Sequence, residues 1–91
     1  MTTELATELR RQVSLGRRVA MARVVDEGGE SRELLIWASG ETKGDLGSPR
    51  LNQRAALYAE QQFERGHTGL AVKRFKDPRG LVEIQYDFPT D

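Results

Sequence analysis

The stretch RELLIWAS, residues 32–39, carries an almost unbroken apolar block that Ser39 and Gly40 bring to an end. A short apolar run without polar alternation is typical of a strand that is packed on both faces or lies near the centre of a sheet. We therefore predict a strand here, with Trp37 in the core. The run RRVAMARVV, residues 17–25, is rich in β-branched and apolar side chains and predicts the strand before it.

The C-terminal part of the chain predicts a hairpin. In LVEIQYDF, residues 81–88, apolar or aromatic residues alternate with Glu83, Gln85 and Asp87. Such alternation is typical of a strand with one face towards a core and the other towards water. The run TGLAVKRF, residues 68–75, supplies the partner strand, because the KDPRG segment between the two runs is rich in turn-forming residues.

Two further segments show apolar side chains at helical spacing. The first segment ends at Gly16, and the second runs from Pro49 to Gly66. Their stripes consist of Leu5, Leu9, Gln12 and Val13 in the first segment and of Leu51, Ala55, Tyr58, Ala59 and Phe63 in the second. Thr2 or Thr3 can cap the first helix, because a side-chain hydroxyl accepts hydrogen bonds from the free N–H groups of a first helical turn.

Taken in order, these segments predict one α+β domain over residues 1–91. The element order is α-β-β-(β)-α-β-β, in which the bracketed strand is a short one within ETKGDLG, residues 41–47. This order suits a small mixed or antiparallel sheet of four to five strands with two helices on one face.

Composition excludes several classes of protein. Fourteen basic residues balance fourteen acidic ones, so no overall charge draws the chain towards nucleic acid or an anionic membrane. The N-terminal MTTELATELRR lacks the apolar stretch of a signal peptide, and no run is long enough to span a membrane. The absence of cysteine fits a reducing compartment. We predict a cytoplasmic protein with neither nucleic-acid nor membrane partners.

Residue types for catalysis and metal binding are sparse. The chain has one histidine, His67, and no cysteine, whereas a metal site needs several ligands held together. His67 follows the second helix, where a solvated turn residue or a partner for the helix C-terminus is expected. The serines lie at predicted turns or helix ends, and no second histidine completes a relay. We therefore predict no catalytic residue and no metal ligand.

The densest basic cluster flanks Gly16 and consists of Arg10, Arg11, Arg17 and Arg18. Cations at the end of a helix complement its dipole, so a structural role needs no ligand. A phosphate contact is the alternative interpretation.

The stretch GDLGSPRLNQ, residues 44–53, leads into the second helix. Ser48 is a good N-cap, and Pro49 suits the first helical position because its missing N–H would be unpaired there anyway. Gly44 and Gly47 allow a tight turn. The same arrangement can present free N–H groups and a positive dipole end to a phosphate or carboxylate. The spacing matches neither a P-loop nor a dinucleotide fingerprint, so both interpretations stay open.

Three segments of the chain together resemble the N-terminal domain of the XdhC/CoxI family. The members of this family are accessory proteins of molybdenum hydroxylases such as xanthine dehydrogenase and carbon monoxide dehydrogenase. LGRRVAMARVVDEGG, residues 15–29, is similar to the family's opening strand. LLIWASGETKGDLG, residues 34–47, is similar to its apolar strand and the glycine turn that follows, and LVEIQYDFP, residues 81–89, is similar to its closing strand.

This resemblance implies a non-catalytic accessory module that binds molybdenum cofactor or delivers it to a molybdenum hydroxylase. It assigns contacts with a molybdopterin-type cofactor to Gly44, Gly47 and Ser48. Arg50 could add a phosphate contact, which the resemblance itself does not imply. The family's Gly-Gly-Cys and following glutamate are replaced here by GSPRLN. That departure supports the alternative, a protein-interaction or oligomerisation domain whose cofactor site has decayed. The expected partners are a molybdenum hydroxylase or another protein, with a homo-oligomer as a further form.

Overall fold

The computed structural model describes residues 4–25, 29–77 and 80–89. Within these ranges it contains two helices and five strands, in the predicted order. The helices are α1 (Glu4–Ser14) and α2 (Pro49–Glu64), and the strands are β1 (Val19–Val25), β2 (Ser31–Trp37), β3 (Thr42–Gly44), β4 (Gly69–Asp77) and β5 (Gly80–Phe88). The predicted N-cap residues Thr2 and Thr3 lie outside the described residues.

The five strands form one antiparallel sheet with the order β3-β2-β1-β5-β4. The predicted α+β class and element order are confirmed. The prediction allowed either a mixed or an antiparallel sheet, and the sheet is antiparallel. β1 lies in the centre, because it pairs with β2 on one side and with β5 on the other. The first strand and the last strand of the chain are thereby joined.

The predicted position of both helices on one sheet face needs correction, because they lie on opposite faces. α1 packs against a core that contains Met21 and Leu35. α2 packs against a second, larger core that contains Ala22 and Leu34. Successive side chains of a strand point to opposite faces, so the adjacent residues Leu34 and Leu35 belong to different cores. An apolar strand without alternation needs cover on both sides, which one layer of helices cannot supply.

The buried stripe of α1 includes one polar residue, Gln12, whose side-chain nitrogen and oxygen are both hydrogen-bonded. Its Oε1 accepts a hydrogen bond of 3.2 Å from Trp37 Nε1, and its Nε2 donates one of 2.9 Å to Glu8 Oε1. Trp37 was expected in the core and is half-buried against the α1 core. A buried amide that finds partners for its polar atoms avoids the desolvation cost of an unpaired group.

Candidate functional site

The predicted site lies in the loop between β3 and α2, where Gly44 is the last residue of β3. Gly44 has a backbone φ of +112°, which L-residues with a side chain rarely adopt. A Cβ atom built on Gly44 would collide with the backbone carbonyl oxygen of Glu33 and would lie 2.8 Å from Leu5 Cδ1. Gly44 therefore allows the close approach of β3 to β2 and α1, which is a packing role.

The loop after Gly44 is closed by the side chain of Asp45, in the loop, and that of Asn52, in the first turn of α2. Asp45 Oδ1 accepts hydrogen bonds from the Gly47 backbone N–H, at 2.8 Å, and from Asn52 Nδ2, at 3.0 Å. Asn52 Oδ1 in turn accepts a bond of 2.7 Å from the backbone N–H of Leu46. The Asp45 carboxylate thus holds Gly47 and Asn52 together across the start of α2.

Ser48 and Pro49 occupy the positions that the sequence predicts for them. Ser48 is the N-cap of α2 with an extended backbone, and its side-chain oxygen accepts a long hydrogen bond of 3.5 Å from the Leu51 backbone N–H. Pro49 is the first residue of α2. Arg50 follows it and is exposed to solvent. The helix-start interpretation of this stretch is therefore confirmed.

A phosphate cradle would need the free N–H groups of this loop, and most of those described are already used. The N–H of Gly47 is bonded to Asp45, and that of Leu46 is bonded to Asn52. The carboxylate of Asp45 also places a negative charge where an anion would have to sit. A cofactor phosphate could bind the N–H groups of Leu46 and Gly47 only by displacing the side chains of Asn52 and Asp45.

Sequence reasoning did not predict the roles of Asp45 and Asn52 in this loop. The signal for Asp45 was present, because an Asp two residues before a glycine favours a turn closed by its own side chain. The partnership with Asn52 had no local signal, since seven positions separate the two residues and only the fold of the loop brings them together.

We expect the Asp45 carboxyl to titrate below the ordinary range of aspartic acid. The hydrogen bond from the Gly47 N–H lowers the pKa of Asp45 most, and the bond from Asn52 lowers it further. A lowered pKa favours the folded state at neutral pH, and this contribution is lost as the pH falls through the folded-state value. An NMR titration of the carboxyl carbon measures it.

In the same titration, replacement Asn52→Ala should raise the pKa of Asp45 towards its ordinary value without reaching it, because the larger cause is retained. Gln53→Ala, an exposed neighbour, serves as the control and should leave the Asp45 pKa unchanged. A pKa of Asp45 that did not respond to Asn52→Ala would contradict the described loop.

Two buried polar atoms have no hydrogen-bond partner among the described residues, namely His67 Nε2 and the hydroxyl oxygen of Tyr86. His67 is half-buried, with its ring edge-to-face against Phe88 at 5.2 Å between centroids. The expected solvated turn residue is thus partly packed into the fold. Burial, and to a smaller extent Tyr58, raises the pKa of the Tyr86 hydroxyl, so Tyr86 is neutral at pH 7 and cannot act as a base there.

The replacement Tyr86→Phe should leave the free energy of unfolding unchanged or raise it by about 1 kcal/mol. A buried hydroxyl without a partner costs desolvation energy on folding, and phenylalanine keeps the ring while it removes that cost. Urea denaturation at pH 7 measures the change. A loss of more than about 1 kcal/mol would contradict this account, because it would reveal a hydrogen-bond partner of the hydroxyl.

The basic cluster near Gly16 contacts the second helix as well as the first. Arg18 Nη2 donates a hydrogen bond of 2.6 Å to the carbonyl oxygen of Phe63, in the last turn of α2. The Arg18 guanidinium also lies over the Phe63 ring, 5.2 Å from its centroid. Arg18 thus complements the C-terminus of a helix, as expected for a structural role. The helix is α2, whereas the sequence predicted this role at the end of the first helix.

The sheet face that carries α1 is only partly covered, because α1 packs over β1 and β2. In one row across the strands, Leu35 and Met21 lie under α1 and are 0% and 6% exposed. The row continues through half-buried Asp87 to Leu70, which is 80% exposed. The α1 core therefore ends at β1, and the same face of β5 and β4 is open to solvent.

We call this uncovered region the open half-face. It consists of Leu70, Val72, Arg74 and Lys76 of β4 and of Leu81, Glu83, Gln85 and Asp87 of β5. Val72 is 54% exposed and Leu81 is 69% exposed. A groove of about 410 Å³ between α1 and β5 adjoins this region, with Leu9, Val13 and Met21 among the residues that line it. The alternation in β5 predicted that Glu83, Gln85 and Asp87 face water, but the sequence did not predict that Leu70, Val72 and Leu81 are exposed on the same surface.

Comparisons with protein families, with curated proteins and with solved structures find no match to this chain. Neither of the two described helices is long and apolar enough to cross a bilayer. Among the described residues, no three His, Cys, Asp or Glu side chains form a group that could hold a metal ion.

Proposed function

We propose that this chain is a non-catalytic protein-interaction domain that binds a partner protein through the open half-face. The observation that carries the proposal is the row of side chains from Leu35 to Leu70 on one sheet face. Leu35 is buried under α1, whereas Leu70, at the other end of the row, is exposed to solvent. Large apolar side chains that are exposed together on one surface are typical of interaction sites. Leu70 and Val72 lie together at one end of this surface, and Leu81 lies at its other end, opposite Lys76.

The class of partner comes from the XdhC/CoxI resemblance, which implies a molybdenum hydroxylase. We propose such an enzyme as the partner protein and a second copy of the chain as the alternative occupant. In both cases the chain acts by binding, with no bond made or broken by its own residues.

Delivery of molybdenum cofactor is the second candidate function, and one observation favours it. Arg50 is exposed beside Ser48 at the start of α2, and its guanidinium has no hydrogen bond or ion pair with the described residues. The carboxylate of Asp45 opposes this candidate, because an incoming phosphate would have to displace it from the Gly47 N–H. Titration with molybdopterin should then shift the NMR signals of residues 44–52, and unchanged shifts would reject cofactor binding.

The interaction function is tested by hydrogen–deuterium exchange of the chain with and without a purified molybdenum hydroxylase. We expect protection on β4 and β5, and we expect the double replacement Leu70→Thr and Val72→Thr to weaken binding by about tenfold or more. Leu57→Thr is the matched control, because Leu57 is 54% exposed on α2, away from the open half-face. Absence of binding, together with a monomer in light scattering, would reject the proposal.

A further inference from the structure

The strand β4 forms one outer edge of the sheet. It pairs with β5 over its whole length, from Gly69 opposite Phe88 to Asp77 opposite Gly80. The sheet order ends at β4, so no described strand lies on its other side. The opposite edge strand, β3, has only three residues, whereas β4 has nine. β4 therefore offers the longer row of unpaired backbone N–H and C=O groups, which another strand can extend.

The side chains of this edge divide into an apolar end and a basic end. Leu70 and Val72 are exposed near the start of β4, on the open half-face. Lys73, Arg74 and Lys76 follow, and all three are exposed. Charged residues commonly protect an edge strand from indiscriminate pairing. Here the three charged residues protect only the second half of β4, and all three are positively charged.

A second copy of the chain fits this edge poorly. If two β4 strands paired antiparallel over their full length, the register would place Gly69 opposite Asp77 and Lys73 opposite its own copy. Like charges directly opposite each other destabilise a pair of strands. On its inner side Arg74 already lies opposite an acidic residue, Glu83 of β5. Lys73 and Lys76 lie opposite Ile84 and Leu81, so neither faces an acidic residue of β5.

We propose that the partner binds by adding a β-strand to the outer edge of β4, and that this strand carries acidic residues opposite the basic end and apolar residues opposite Leu70 and Val72. The inference rests on the proposed interaction function and specifies how the partner binds. In an antiparallel arrangement the acidic residues precede the apolar ones, and alternate side chains of the added strand lie beside Leu70 and Val72 and extend the open half-face.

The probe for this proposal is the capped heptapeptide Glu-Thr-Glu-Glu-Val-Thr-Leu, designed to lie antiparallel to residues 70–76. Its three glutamates face Lys76, Arg74 and Lys73, and its valine and leucine face Val72 and Leu70. We expect the peptide to shift the NMR signals of β4 residues and to slow the exchange of their outward-facing backbone amides, with no change elsewhere in the protein. The control peptide Lys-Thr-Lys-Lys-Val-Thr-Leu should bind at least about tenfold more weakly.

A charge exchange in the protein provides the matched test. The double variant Lys73→Glu and Arg74→Glu should prefer the basic peptide over the acidic one, with unchanged NMR signals in α2 as evidence of folding. N-methylation of alternate peptide bonds in the acidic peptide should abolish binding through loss of the backbone hydrogen bonds. Equal binding of the two peptides, shifts in the groove beside α1 in place of β4, or self-association through β4 would overturn the proposal.

The failure of this proposal can be told apart from the failure of the interaction function. If the acidic peptide does not bind while the Leu70→Thr and Val72→Thr replacements still weaken binding of the hydroxylase, only strand addition is overturned. If those two replacements have no effect on hydroxylase binding either, both proposals fall.

Discussion

Replacement of Gly44 with alanine is expected to lower the free energy of unfolding by about 3 kcal/mol. Two costs add, since alanine is strained at a φ of +112° and its Cβ meets the Glu33 carbonyl and Leu5 Cδ1. The backbone carbonyl belongs to β2 and cannot move without disturbing the sheet. Urea denaturation followed by the fluorescence of Trp37 measures the loss.

Gly40→Ala is the matched control for that experiment. Gly40 has a similar φ of +101°, but nothing lies within 4 Å of a Cβ built on it. We expect a loss of about 1 kcal/mol from the backbone conformation alone. Equal losses for the two variants would contradict the packing role of Gly44, because the contacts with Glu33 and Leu5 would then contribute nothing.

Replacement of either Leu34 or Leu35 with alanine is expected to cost about 3 kcal/mol of unfolding free energy. Leu34 is 1% exposed in the α2 core, and Leu35 is 0% exposed in the α1 core. Each replacement removes three buried carbon atoms and leaves a cavity on its own side of the sheet. Chemical denaturation of the two single variants measures both costs.

The pair of leucines also tests the arrangement of the helices. If both helices lay on one face, one of these two adjacent side chains would face water, and its replacement would cost little. Leu57→Ala provides the reference for an exposed leucine and should change the free energy of unfolding by less than about 0.5 kcal/mol. A small effect at either Leu34 or Leu35 would contradict the two-core fold.

The sequence predicted the secondary structure well because its signals are local. The alternation in LVEIQYDF marks β5, and the apolar spacing from Leu51 to Phe63 marks α2. Ser48 and Pro49 define the start of α2 through hydrogen bonding and backbone geometry that involve only the next few residues.

The sequence left the arrangement of the helices undetermined, although RELLIWAS contained part of the answer. A strand that is apolar at consecutive positions predicts cover on both faces. Which helix covers which face depends on the direction in which each connection leaves the sheet, and no single segment encodes that direction. The prediction of one covered face therefore failed, while the prediction for the strand itself was sound.

At the candidate site, too, the sequence predicted the local backbone structure but did not predict the contacts between side chains. Sequence reasoning identified Gly44 and Gly47 as a turn before a helix, and it left open whether the turn binds an anion. The hydrogen bonds from Gly47 and Asn52 to Asp45 show that the described loop already holds a carboxylate of its own. Binding of a cofactor phosphate at this turn stays a prediction that requires displacement of that carboxylate.

By itself the sequence determined the elements of this protein, their order, and the start of α2, because each depends on residues within about one helical turn or one strand. Only the tertiary structure decided that two cores flank the sheet and that the exposed side chains of Leu70, Val72 and Leu81 share the uncovered part of the α1 face. These features depend on how far α1 extends across the sheet and on which strands become neighbours. Both are set by the packing of apolar surfaces from distant parts of the chain, which no local pattern records.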